Sequence, residues 1–145
     1  MNDLAILLAD DREDDILLIQ EAFERAGIQN PLHIVRDGEE AINYLSGKGK
    51  FSNRTEHPLP ALFLLDLKMP GTDGLDVLRW IRTQPYLNGL RTVVLTSSES
   101  MRDVDIAYKL GATSFLVKPM DFLDTVEMVR TMTRYWLGMN MTSGP

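Results

Sequence analysis

Five short segments of this chain are apolar almost without interruption: Ala5-Ile6-Leu7-Leu8-Ala9, residues 32–35, Leu62-Phe63-Leu64-Leu65, residues 92–96 and residues 114–117. A strand with one wet face alternates apolar with polar residues, whereas a strand that is apolar throughout is buried on both faces. Between these runs the apolar residues return at three- and four-residue spacing, the period of amphipathic helices. Strand and helix alternate five times, which defines an α/β chain with a parallel sheet covered by helices on both sides.

The helices carry their own start and stop signals. In residues 14–26, Ile16, Ile19, Ala22, Phe23 and Ala26 form one stripe, Gly27 is the stop, and Glu13, Asp14 and Asp15 suit the positive end of the helix dipole. Asp37 caps a short helix with Ala41, Ile42 and Leu45 that ends at Gly47. A polar stretch, residues 48–58, has no apolar period, and its length predicts an exposed, mobile loop. The Asp66 strand leads to a helix with Leu75, Leu78 and Ile81, stopped near Pro85. Ser100 and Asp103 form a capping-box start for a helix ending at Leu110-Gly111, whose stripe of Val104, Ala107 and Leu110 is thin. Asp121 caps a last helix with Val126, Val129, Thr133 and Trp136 on one side and Met128, Met132 and Tyr135 on another, before a tail at 139–145 expected to fray. Right-handed crossovers leave few topologies for this order, and the flavodoxin-like doubly wound (βα)5 arrangement is the expected one. The 145 residues fit one domain, with no repeat or linker.

Composition removes several function classes. No apolar stretch approaches the roughly 20 residues that cross a bilayer, and no basic-then-apolar leader is present, so no membrane partner is expected. A net charge of −6 argues against nucleic acid as a partner. Zero cysteines exclude disulfides and thiolate metal sites and fit a cytoplasmic location. With His33 and His57 the only histidines, both read as strand and loop residues without chemistry, a metal here is a hard cation on oxygen ligands.

The polar residues at the strand ends are the candidates for a site, because open α/β sheets place their chemistry at the carboxyl ends of their strands. These are Asp10-Asp11 after the first strand, Asp66 after the third, Thr96-Ser97-Ser98 after the fourth and Lys118-Pro119 after the last. Each has an ordinary alternative: Asp10-Asp11 as a helix cap, Asp66 as a turn starter before Met69-Pro70-Gly71, Thr96 to Ser98 as a plain loop, Lys118 as a solvent-facing side chain. Asp73 reads as a cap, and Trp80 and Trp136 as packing residues. Together, however, three carboxylates in one place repel one another unless a divalent cation such as Mg²⁺ joins them. A cation, an ammonium and a hydroxyl around a carboxylate nucleophile are the equipment of phosphoryl transfer through an aspartyl-phosphate.

From about Leu4 to Leu137 the chain resembles the receiver domains of two-component response regulators, on Asp10-Asp11, on Asp66 followed by Leu-Lys-Met-Pro-Gly-Thr-Asp-Gly, on Thr96-Ser97 and on Lys118-Pro119. The resemblance implies that a sensor histidine kinase donates a phosphoryl group to Asp66. It implies Mg²⁺ (or Mn²⁺) held by Asp10, Asp11, Asp66 and the backbone carbonyl of Lys68, and an ammonium from Lys118 on the phosphoryl group. Thr96 is then drawn inward, with Ser97, Phe115 and Pro119 around it and a cis Lys118-Pro119 peptide aiming the lysine. Phe115 stands where many receivers have Tyr, and Arg12 is a departure expected to pair with the acidic pair when no metal is bound. Softer motifs, including Asp37-Gly38-Glu39-Glu40-Ala41 and Arg134-Tyr135-Trp136-Leu137, are similar to stand-alone receivers of bacterial phytochrome-type kinases.

Such a regulator works by protein contact, without its own output domain, so a homodimer is expected through the fourth helix, fifth strand and last helix, with Met128, Met132 and Tyr135 in the contact. Two rival readings meet the same residues. A Mg²⁺-dependent aspartyl-phosphate phosphatase or phosphotransferase wants a second Asp two residues after the nucleophile, where Lys68 stands. A flavodoxin-like cofactor binder needs a phosphate-cradling loop after the first strand, where this chain has Asp-Asp-Arg-Glu-Asp-Asp.

Overall fold

A computed structural model describes residues 4–97 and 100–138; Ser98 and the tail at 139–145 lie outside the described residues. The strands are β1 (Ile6–Ala9), β2 (Leu32–Val35), β3 (Leu62–Leu65), β4 (Arg91–Thr96) and β5 (Ser114–Val117). They alternate with helices α1 (Glu13–Arg25), α2 (Gly38–Ser46), α3 (Gly74–Arg82), α4 (Met101–Lys109) and α5 (Phe122–Thr133), the last extended by a π-helical turn at Arg134–Gly138. The five strands form one parallel sheet in the order β2-β1-β3-β4-β5, the flavodoxin-like doubly wound arrangement.

Strand periodicity sorts the side chains into two cores. Leu7, Ala9, Phe63, Leu65 and Val94 point to one face, where they pack with Tyr44, Leu45, Val77, Leu78, Ile81 and Ala107 from α2, α3 and α4. Ile6, Leu8, Leu62, Leu64, Val93 and Leu95 point to the other, against Ile16, Ile19, Phe23, Val126 and Val129 from α1 and α5. Asp37, Asp73, Ser100 and Asp121 each accept a hydrogen bond from a backbone N–H of the first helical turn, so four of the five helices start at a side-chain cap. Gly27 and Gly47 take left-handed φ values of 74° and 70° at the ends of α1 and α2, the conformation for which glycine is preferred.

The structure departs from the sequence pattern at two places. The segment 48–58 is docked rather than loose: Phe51 is buried, the Arg54 guanidinium donates to the Tyr44, Leu45 and His57 carbonyls, and the Tyr44 hydroxyl donates to the Pro58 carbonyl. Its few apolar groups meet an aromatic cluster of His33, Tyr44, Phe51 and His57, which no local period could announce. Met132, expected on a free face of α5, is buried in the α1–α5 core, while Tyr135 remains half exposed. The π-helical turn adds Leu137 to that core, so α5 buries a wider stripe than Val126 and Val129 suggest.

Candidate functional site

Strand register assembles the site. Ala9 pairs with Leu65 and Thr96 with Val117, so Asp10, Asp66 and Lys118 each lie one residue beyond a paired strand end. All three follow the parity of Leu8, Leu64 and Leu116, which directs them toward the α1–α5 side of the sheet. Thr96 follows the parity of Val94 and is fully buried on the opposite side, the side on which Phe115 packs. The site therefore spans both faces of the sheet at its carboxyl edge.

Asp10 is fully buried and Asp66 is 4% exposed, which for carboxylates demands compensation. The Lys118 ammonium supplies it, 2.6 Å from Asp10 Oδ2, 2.9 Å from Asp15 Oδ2 and 3.4 Å from Asp66 Oδ2. Asp10 Oδ1 accepts from the Arg12 N–H at 2.9 Å, and Asp66 Oδ1 from the Lys68 N–H at 3.3 Å. Burial pushes the Asp10 carboxyl above the usual carboxylate range, against the opposing pull of the Lys118 ammonium. For Lys118 burial acts to lower the pKa, but the hydrogen bonds to Asp10 and Asp15 and the charge of Asp66 outweigh it, and the net direction is upward.

Asp11 is exposed at the rim, and one carboxylate oxygen from each of Asp10, Asp11 and Asp66 lies within 4.8 Å of the others. An all-oxygen set of this kind fits a hard divalent cation, with the open side left for waters. The loop after Asp66 is held by a close approach: the Gly74 N–H donates to the Leu67 carbonyl, and a Cβ on Gly74 would sit 2.5 Å from the Asp66 carbonyl oxygen. Beyond that loop, the Lys68 ammonium pairs with Asp103 on the first turn of α4 at 3.4 Å.

Asp10, Asp11, Asp66 and Lys118 thus come together as the strand ends foretold, with buried Thr96, exposed Ser97 and half-buried Phe115 and Pro119 on the same edge. The structure differs in three respects. The Lys118-Pro119 peptide is trans, no cis bond occurring among the described residues, and the lysine is aimed instead by its carboxylate partners. The Arg12 side chain pairs with Asp14 and Asp15 rather than with Asp10 or Asp11, because it leaves the chain where α1 begins and faces that helix's first turn. Asp15, read from sequence only as a first-turn acid, is a direct partner of Lys118. Its signal was available, since Asp15, Ile19 and Ala22 follow one helical stripe, the last two of them buried.

Residues 6–130 match the model of the response regulator receiver domain, and the chain belongs to that family. Among curated relatives it is 38% identical to the probable methanogenesis regulatory protein FilR2 of Methanothrix harundinacea, covering 97% of this chain and 88% of that protein. It is 37% identical to the response regulator Rcp1 of Synechocystis, over 91% of this chain and 88% of Rcp1. Among solved structures, a response regulator in red light signaling of R. palustris superposes with a TM-score of 0.87 at 37% identity, covering 92% of this chain and 94% of that one. The phosphorylated cyanobacterial phytochrome response regulator RcpA gives 0.87 at 33%, covering 94% and 96%. The Mn²⁺-bound form of Rcp1 gives 0.82 at 36%, covering 92% and 94%.

Proposed function

We propose that this chain is the phospho-accepting switch of a two-component pathway, with Asp66 as the phosphoacceptor. The observation that carries this reading is a buried carboxylate at the end of a central strand, flanked by one ammonium and two further acids. In the reaction an Asp66 carboxylate oxygen attacks the phosphorus of a kinase phosphohistidine. The P–N bond breaks, its electron pair stays on the imidazole, and the phosphoryl group is left on Asp66. Asp10, Asp11, Asp66 and the Lys68 carbonyl are the groups that hold Mg²⁺ or Mn²⁺, which when bound neutralises charge on the phosphoryl oxygens. Lys118 supplies the second positive charge, and the Thr96 hydroxyl the hydrogen bond that pulls the end of β4 inward.

The histidine kinase is of the phytochrome type on this reading, supported by the likeness to RcpA, the regulator of R. palustris and Rcp1. The receiver domain acts through protein contact and forms a homodimer over α4, β5 and α5, on and beside which Tyr108, Val117, Met120, Leu123 and Tyr135 are exposed. An aspartyl-phosphate phosphatase is disfavoured because Lys68, not an acid, follows Asp66 by two residues and is engaged with Asp103.

The test is chemical. With Mg²⁺ and acetyl phosphate the protein should gain one phosphoryl group that is stable to acid and labile to base, measured by intact mass. Asp66→Asn or chelation should abolish it. A base-resistant adduct would assign the phosphate to a hydroxyl and overturn the reading.

A further inference from the structure

Lys118 faces a conflict that its three partners resolve unequally. Its ammonium occupies Oδ2 of both Asp10 and Asp66, two of the three carboxylates that form the candidate cation cluster, while Asp10 Oδ1 is already taken by the Arg12 N–H. A divalent cation entering that cluster competes with the ammonium for the Asp10 and Asp66 carboxylates, and the two positive charges repel. The lysine side chain is only 12% exposed, so an ammonium stripped of carboxylate partners would be left in a poorly solvated place. Asp15 is the remaining partner, 2.9 Å away, and it stands outside the cation cluster.

The same oxygen of Asp15 also receives the Arg12 guanidinium, at 3.4 Å from the outer side. Asp15 therefore lies between two cations, one facing the cleft and one facing solvent, and it is anchored on the first turn of a 13-residue helix. Its position does not depend on Lys118.

We propose that Asp15 is the positioning residue for Lys118: it retains the ammonium on the α1 side of the cleft when a divalent cation takes Asp10 and Asp66. This rests on the metal reading given above and adds a residue to it. Without Asp15, the partners of Lys118 among the described residues are the cation's own ligands, and lysine and cation compete for the same carboxylates. With it, the two charges coexist, and Lys118 is kept within reach of a phosphoryl group arriving on Asp66.

Mn²⁺ titration of the unphosphorylated protein by calorimetry reads this directly. Asp15→Asn should weaken Mn²⁺ binding by about fivefold to tenfold, within the usual range of coupling between sites. Asp15→Glu should restore most of it. In a Lys118→Met background, where no ammonium needs a partner, Asp15→Asn should change the affinity by less than about twofold, because the effect travels through the lysine. An equal loss in both backgrounds would make Asp15 a diffuse charge, and no loss in either would make it a helix-end acid; both overturn the proposal while leaving the metal reading intact. Mn²⁺ binding that is absent from the wild type, or that survives Asp11→Asn, would overturn both.

Discussion

Gly74 lies so close to the loop that follows Asp66 that a Cβ there would come within 2.5 Å of the Asp66 carbonyl oxygen and 2.6 Å of Leu67 Cα. Both contacts are to backbone, which cannot swing aside as a side chain can. The N-terminus of α3 is thereby locked against the backbone of Asp66 and Leu67. Gly74→Ala should cost about 1–3 kcal/mol, the usual penalty of overpacking, and should displace the Asp66 loop. Gly89→Ala, at a position with nothing within 4 Å, is the control. Urea midpoints of the two variants check this, and equal midpoints would show that the loop yields.

The Lys68–Asp103 pair joins the loop after Asp66 to the start of α4, and α4 buries only Ala107. So little burial leaves α4 with a small free-energy gap between positions, which a switch requires. Hydrogen exchange with and without beryllofluoride, a phosphoryl mimic, should differ most over residues 96–111 and around Phe115. Thr96→Ala should still accept phosphate while losing most of that difference. Changes confined to the loops carrying Asp10 and Asp66 would argue against a moving α4.

Met132 and Tyr135 separate folding from assembly. Met132 is 4% exposed in the α1–α5 core, so Met132→Ala should cost about 2–5 kcal/mol in urea unfolding. Tyr135 is 53% exposed, so Tyr135→Asp should leave the fold intact. Combined with Leu123→Asp, it should give monomers that still take a phosphoryl group at Asp66. Sedimentation showing the wild type monomeric at high concentration, phosphorylated or not, would remove the homodimer.

Burial, reinforced by the nearby His57 ring, lowers the His33 pKa below its ordinary 6.5. The unfolded chain then binds this proton more readily than the folded one. The contribution of neutral His33 is therefore present above about pH 6.5 and is lost as the pH falls toward the folded value. Urea midpoints measured at about pH 7.5 and 5.5 should drop further in the wild type than in His33→Gln. Equal drops would assign the pH dependence to the carboxylates instead.

Local pattern carried much of this protein. The wholly apolar Leu62–Leu65 run could only be a strand covered on both faces, and the caps at Asp37, Ser100 and Asp121 lie where short-range hydrogen bonding puts them. Asp10, Asp66 and Lys118 were legible as a set because each directly follows an apolar run, and parallel strands bring such ends together. What sequence could not supply were choices made between segments distant in the chain. Whether Met132 faces core or solvent depends on how α5 rotates against α1, since its neighbours are apolar on two sides. Whether residues 48–58 hang free depends on Arg54 finding the carbonyls at the end of α2. Helical spacing places Asp15 on the stripe of Ile19 and Ala22, but its partner Lys118 lies 103 residues away, and no local pattern selects that partner. Periodicity and capping act within a few residues and are written in the chain; the partner of a buried charge is decided only when the packed structure excludes water from it.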